Sequence, residues 1–285
     1  FLVHVDEDLA KPAIAELAGA QTATIRRYAH DQGLLGLAGT CLLQTRNTLL
    51  WVCTETGLYR FNGRNFQQSP LDGLRNEPIS SMSEAPDGRL WVAGFQSLFV
   101  GDERGFRKLD TTEVNHLQDG VLLASLPWGT VLANNGTLLR LLPRARERWH
   151  SEPLLDTATR VRVPDLSKVL SLSVDGDTLW AGCGRQLCAI DAQRKVQVYG
   201  PQQGVPDDRW YSVLRDRAGG LWARGVGTIV YRAPGAHSFT VRPLPVLDGR
   251  AVGQPAPLVL DRSGRVLVRS HAGLVRWESD HWRSF

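Results

Sequence analysis

Seven histidines (positions 4, 30, 116, 150, 237, 271 and 281), four cysteines and 29 acidic residues are the groups with which this chain could do chemistry. The histidines form no H-x-H or H-x-x-x-H pair, so no local segment offers a metal two imidazoles. There is no G-x-S-x-G elbow, phosphate loop or H-E-x-x-H helix either. Asp87, Asp175, Asp216 and Asp261 sit in short polar stretches where a carboxylate bonds nearby backbone N–H groups, which makes them turn formers before general acids. Cys41 and Cys53 lie at near-equal offsets about "TRNT", and Cys183 and Cys188 flank "GRQL". Each pair therefore faces across a hairpin, either as a disulfide or as two small buried thiols. Neither spacing is the C-x-x-C of a zinc knuckle, and no metal or cofactor is expected.

The elements that carry these groups follow from composition and period. With 285 residues and 42% hydrophobic content the chain has enough apolar material for one large core. Its most apolar window, "GLLGLAGTCLL", is far shorter than the roughly 20 residues of a membrane helix. A net charge of +4 is a solvated surface and not a nucleic-acid footprint. The densest basic run, "RLLPRARERW" (Arg140–Trp149), is diluted by Ala, Glu and Pro and reads as the outward face of an edge strand.

The strongest signal is repetition. Trp51 and Trp91 are 40 residues apart, Val131 takes the same place 40 later, and Trp180, Trp222 and Leu267 follow at 49, 42 and 45. Six units are visible, each an alternating segment, a turn rich in Asp, Gly and Asn, an apolar run, a short loop, a "GLYRFN"-like strand and an aromatic-bearing strand. Four strands in a repeat of 40 to 50 residues make one blade of an all-β propeller, and the recurrent Trp fills the gap between splayed blades. Residues 1–32 are less regular: "FLVHV" alternates, "KPAIAELAGA" suits a short helix and "ATIRRY" a strand. With residues 33–285 holding six units, the expectation is a seven-bladed propeller whose N-terminal segment supplies a degenerate or ring-closing blade; six blades with an N-terminal extension is the alternative.

"RNTLLWVCTETGLYRFNG", "PDGRLWVAGFQSLFV" and "DRAGGLWARGVGTIVYR" each match part of the pattern D-x-x-G-x-L-W…G-L-x-R and resemble the two-component regulator propeller repeat. The resemblance covers residues 25 to 285, with the Trp replaced in the third and sixth units. It implies a periplasmic sensor domain, part of an inner-membrane protein whose output is a histidine kinase, diguanylate cyclase or transcription regulator. It also implies a homodimer in the full-length protein. Two disulfides, Cys41 to Cys53 and Cys183 to Cys188, suit such an oxidising compartment. "SVDGDTLW" approaches the Asp box of sialidase-type propellers but is out of register with it.

Ligands of propellers gather where the loops between second and third strands meet those between blades. The first set supplies Glu55, Gln96, Asn134, Asn135, Arg185, Gln186, Arg224 and His271; the second Arg75, Asn76, Glu77, Asp208, Arg209, Trp210 and Tyr211. Amides, arginines and adjacent aromatics suit a small polar ligand of the sugar or peptide class, or a periplasmic protein. The expected function is ligand sensing without catalysis. The alternatives are a propeller lyase or glycosidase and a scaffold for protein partners.

Overall fold

The computed structural model describes residues 2–6, 24–36, 38–71, 76–111, 114, 117–118, 120–143, 148–244, 257–261, 263–270 and 273–284. Among them are six four-stranded antiparallel sheets, spanning residues 39–68, 79–108, 122–153, 169–199, 210–241 and 259–284. These are blades 1 to 6 of a β-propeller. Within each, strands pair in chain order, and the first strands of blades 1 to 5 lie side by side in succession. The seven-blade expectation is corrected to six full blades: the N-terminal part contributes a two-stranded sheet, Leu2–Asp6 with Thr24–Tyr28. The helix expected over "KPAIAELAGA" lies outside the described residues.

Sheets arranged radially diverge outward, and large side chains must fill the wedge between them. Trp51 of blade 1 meets Phe106 on the outer strand of blade 2 edge to face, ring centroids 5.6 Å apart. Trp91 repeats this contact with Trp149 of blade 3 at 4.8 Å, and Trp222 with Trp282 of blade 6 at 6.0 Å. Trp180 reaches Tyr199 of its own blade, which in turn meets Phe239 of blade 5. Blade 1 turns its other aromatic face, Phe61 and Phe66, to Tyr28, the last residue of the N-terminal sheet. Tyr28 thus does for blade 1 what a blade tryptophan does for the next blade.

Val131 cannot fill such a wedge. At that interface the connection between blades 3 and 4 adds Leu154, Leu155, Val163 and Leu166 to the core beside Val131. It carries a helix, Thr157–Arg162, capped by Asp156, whose carboxylate accepts the Thr159 N–H at 2.6 Å. One insertion accounts for both the missing Trp and the 49-residue spacing. The basic run Arg140–Trp149 is also corrected: Arg140 is half-buried on the third strand, Thr137–Pro143, and only Trp149 begins the outer one.

Polar links join the inner strands. The Oγ atoms of Ser81 and Ser83 accept the N–H groups of Leu123 and Ser125 in the next blade, and Ser173 and Ser212 repeat the bond to Val213 and Leu258. Turn chemistry follows the sequence reading. Gly88 takes φ +86°, Asp87 and Asp261 accept the N–H groups of Arg89 and Arg265, and Asp216 accepts both the Gly220 N–H and the Trp222 indole N–H. Asp175 differs: both its oxygens take the Arg215 guanidinium at 2.6 Å, tying blade 4 to blade 5.

Both cysteine pairs are disulfides, so the bridged alternative holds. Cys41 and Cys53 stand directly opposite in the register of the first two strands of blade 1; Cys183 and Cys188 are diagonal across the next hairpin of blade 4. Closing such short loops is worth roughly 2–3 kcal/mol each by chain entropy. Replacing Cys41 and Cys53 together by Ala, or Cys183 and Cys188, should lower unfolding free energy by about that amount in non-reducing denaturant titrations, and reductant should reproduce the loss.

Candidate functional site

The first strand of each blade begins where the connection from the preceding blade arrives, and the turn between second and third strands emerges at the same end. That end is the loop face. Here the first two strands shift register by one residue, so that Thr40, Ser80, Leu170 and Tyr211 fall between paired positions in blades 1, 2, 4 and 5. A bulge of this kind sets one side chain out of the ladder's alternation. Tyr211, half-buried at the start of the first strand of blade 5, is the aromatic among them.

The residues expected to bind are spread over several blades and fall into groups. Glu55 accepts the Ala38 N–H at 3.0 Å, pinning the segment that leads into blade 1, and Asn134 accepts the Gln118 N–H at 2.9 Å, pinning the connection between blades 2 and 3. Gln96 and Asn135 are exposed at φ +56° and +48°, the left-handed corners of tight turns. Gln186 is half-buried. Trp210 is fully buried in the core between blades 4 and 5, its indole N–H bonded to the Arg185 carbonyl at 3.3 Å, so its ring is a packing element. Arg75 and His271 lie outside the described residues.

Blade 5 gathers the rest. Arg185 is ion-paired with Asp207, both exposed, and its guanidinium also reaches the Asp207 carbonyl at 3.2 Å. Arg209 is exposed, and its carbonyl accepts the Val226 N–H. Asp208 accepts the Gly227 N–H at 3.0 Å. Its carboxylate sits so close to Gly225 that a Cβ there would come within 2.4 Å of it. Arg224, on the second strand of this blade, has no exposed surface, and none of its three guanidinium nitrogens has a hydrogen-bond partner. Burial lowers its pKa to about 10, against the opposing charge of Asp208, so it stays cationic at neutral pH.

Glu77 occupies the place in blade 2 that Asp208 has in blade 5, two residues before the first strand and 2.4 Å from where a Cβ of Gly94 would lie. It is 7% exposed, and its two buried oxygens have no close hydrogen bond beyond the weak approach of the Ser97 hydroxyl and the Phe95 backbone. Burial raises its pKa, and the Ser97 hydroxyl, the Lys108 charge and the Phe95 backbone temper the rise. Phe95, beside it at the turn, is 49% exposed. The sequence placed Arg224 in the loop after the second strand, whereas it lies on that strand, and the burial of Glu77 and Arg224 was not legible because burial is a property of the fold.

Among the described residues no three His, Cys, Asp or Glu side chains converge as a metal site. A cavity of about 320 Å³ opens on the opposite face of blade 2, between the Asp87–Arg89 turn and Arg107. Its charged groups are engaged, Asp87 by Arg89 at 2.6 Å.

Two outcomes follow from the buried charges. Arg224→Met should stabilise the chain by about 1 kcal/mol or more, because it removes an unpaired buried cation. Between the ordinary glutamate value of 4.5 and its raised one, Glu77 holds a proton in the folded chain that the unfolded chain has released, so stability falls as pH rises through that window. The stability of Glu77→Gln relative to the parent should therefore improve as pH climbs from 4.5 towards neutrality and stay constant below it, as read by melting curves.

The sequence model of the two component regulator propeller family matches residues 73–96, from the connection carrying Glu77 through Trp91 to Gln96. No curated protein matches the sequence. Among solved structures, the fold is similar to the extracellular domain assigned to a hybrid two component system of B. thetaiotaomicron, with TM-score 0.67, 17% identity, and coverage of 87% of this chain and 34% of that one. This chain thus spans about a third of that domain's length. It is also similar to virginiamycin B lyase from Staphylococcus aureus with quinupristin (TM-score 0.61, 13% identity, 86% and 80% coverage). YCF48 bound to D1 peptide is a third likeness (0.59, 14%, 87% and 82%). At these identities the likeness is one of fold, a β-propeller, and the family model matches only the segment 73–96, which runs into the second blade.

Proposed function

We propose that this propeller is the extracytoplasmic sensing domain of a membrane-anchored signalling protein of the two-component or cyclic-di-GMP type, binding its ligand on the loop face and doing no catalysis itself. The observation that carries the reading is the regulator-propeller match at residues 73–96. Two further features support it: the fold it shares with an extracellular domain assigned to a two component system, and two disulfides of the kind that persist in oxidising compartments. In this reading the chain is the periplasmic portion of an inner-membrane homodimer. Ligand binding favours one relative placement of the two propellers, and the difference in affinity between placements is what passes to the output domain.

The loop face offers arginines, amides, a half-buried tyrosine and an exposed phenylalanine, a set suited to a small polar ligand of the sugar or peptide class. A thermal-shift screen of the oxidised chain against sugars, amino acids, short peptides and nucleotides should return one responsive class. Its melting midpoint should rise by mass action, equivalent to roughly 2.7 kcal/mol at a hundredfold excess over the dissociation constant. Silence across all classes would contradict small-ligand sensing, and chemical turnover of a responsive compound would contradict the absence of catalysis. For the relay, a longer form retaining the membrane-proximal segment should dimerise in sedimentation runs, whereas a monomer at every concentration, with and without the responsive compound, would contradict it.

A further inference from the structure

The burial of Arg224 is out of keeping with its own repeat. Two positions after the blade tryptophan, or the residue that replaces it, blades 1 to 4 carry Cys53, Ala93, Ala133 and Gly182, all small and all buried, and blade 6 carries Arg269, which is exposed. Four blades fold with next to nothing in that place, so the architecture does not call for a guanidinium there. Blade 5 nevertheless encloses one completely, and burying a charge without a partner costs several kcal/mol. The acid whose charge bears on it, Asp208, is otherwise engaged: its Oδ2 takes the Gly227 N–H and its Oδ1 the Arg209 N–H at 2.7 Å. The positive charge is therefore left without a hydrogen-bonded counterion beside a rim that also carries Arg185 and Arg209.

We infer that Arg224 anchors an anion-binding site at the loop-face end of blade 5, its forked donors taking the carboxylate or phosphate group of a ligand in a bidentate pair. A planar guanidinium matches either group with two parallel N–H···O bonds, which lysine cannot reproduce. Segment 207–209 lies against residues 225–227, next to Arg224 in the chain, and is held by the Asp208–Gly227 and Val226–Arg209 hydrogen bonds and the exposed Arg185–Asp207 pair. An anion reaches Arg224 by parting these contacts, of which the exposed ion pair contributes little in water. Asp208 sets a threshold: a ligand must carry enough negative charge to compete with it.

The inference rests on the ligand-binding reading above and names the chemical group that reading leaves open. The test uses the full 285-residue chain with sodium succinate, sodium phosphate and sodium chloride at matched ionic strength, and succinamide as the uncharged counterpart, by calorimetry and thermal shift. Succinate or phosphate should bind saturably and succinamide should not. Arg224→Gln should weaken the anion at least tenfold, Arg224→Lys should fall between, and Asp208→Asn should tighten it severalfold by removing the competing charge. Preference for succinate marks an organic acid or peptide carboxylate as the source, and preference for phosphate a phosphorylated ligand. No saturable binding of either anion, or equal affinity in a folded Arg224→Gln variant, overturns the proposal. The sensing reading fails separately, if the anion binds at Arg224 but leaves the output of the full-length signalling protein unchanged.

Discussion

Radial sheets leave wedges between them, and filling those wedges is the constraint on which this molecule depends. In blades 1, 2, 4 and 5 the filler is a tryptophan on the second strand, reaching directly or through Tyr199 to an aromatic near the outer edge of the next blade. Each such ring buries on the order of 200 Å² and adds an edge-to-face term to the transfer free energy. Because the contact is geometric, a blade that loses its Trp needs another source of volume. Blade 3 takes it from the apolar residues of the 154–168 connection, and blade 1 receives Tyr28 on its far face. The inner edge is held differently, by serine and threonine side chains bonded to the neighbouring backbone where side chains must stay small.

A repeat makes its own exceptions visible. Where blades 1 to 4 put cysteine, alanine or glycine and blade 6 an exposed Arg269, blade 5 buries Arg224; where the connection into blade 5 sets Asp208 over Gly225, that into blade 2 sets Glu77 over Gly94. Both are buried at the loop face, Arg224 without a hydrogen-bond partner and Glu77 with only weak ones, and for each burial disfavours the charged form. Proteins hold such groups where function needs them more than the fold does. The opposite face shows the contrasting economy: its charges close on each other, as Arg215 does on Asp175 and Arg46 on Glu84.

Much of this architecture was legible because it is periodic. Strand order, hairpin turns, the wedge role of the tryptophans and the facing of the cysteines all follow from spacing. What failed was non-periodic. Seven blades were preferred over the six-bladed alternative because the N-terminal strands alternate like blade strands; the alternative holds, since among the described residues they pair with each other alone. The helix at 157–162 was invisible beside a regular repeat, although its Asp156 cap is a local signal. Trp210 reads from sequence as a loop aromatic beside Tyr211, but the one-residue bulge separates their fates, sending Trp210 into the core and leaving Tyr211 half-buried. The isolation of Arg224 and Glu77 depends on what does not approach them, which no one-dimensional pattern records.

Hydrogen–deuterium exchange of the chain with and without saturating succinate tests binding at the loop face most directly. Binding at the loop face of blade 5 should slow exchange at residues 207–213 and 224–228 and leave the Asp87–Arg89 turn on the opposite face unchanged. Protection centred on that turn, or spread evenly over all blades, would contradict it.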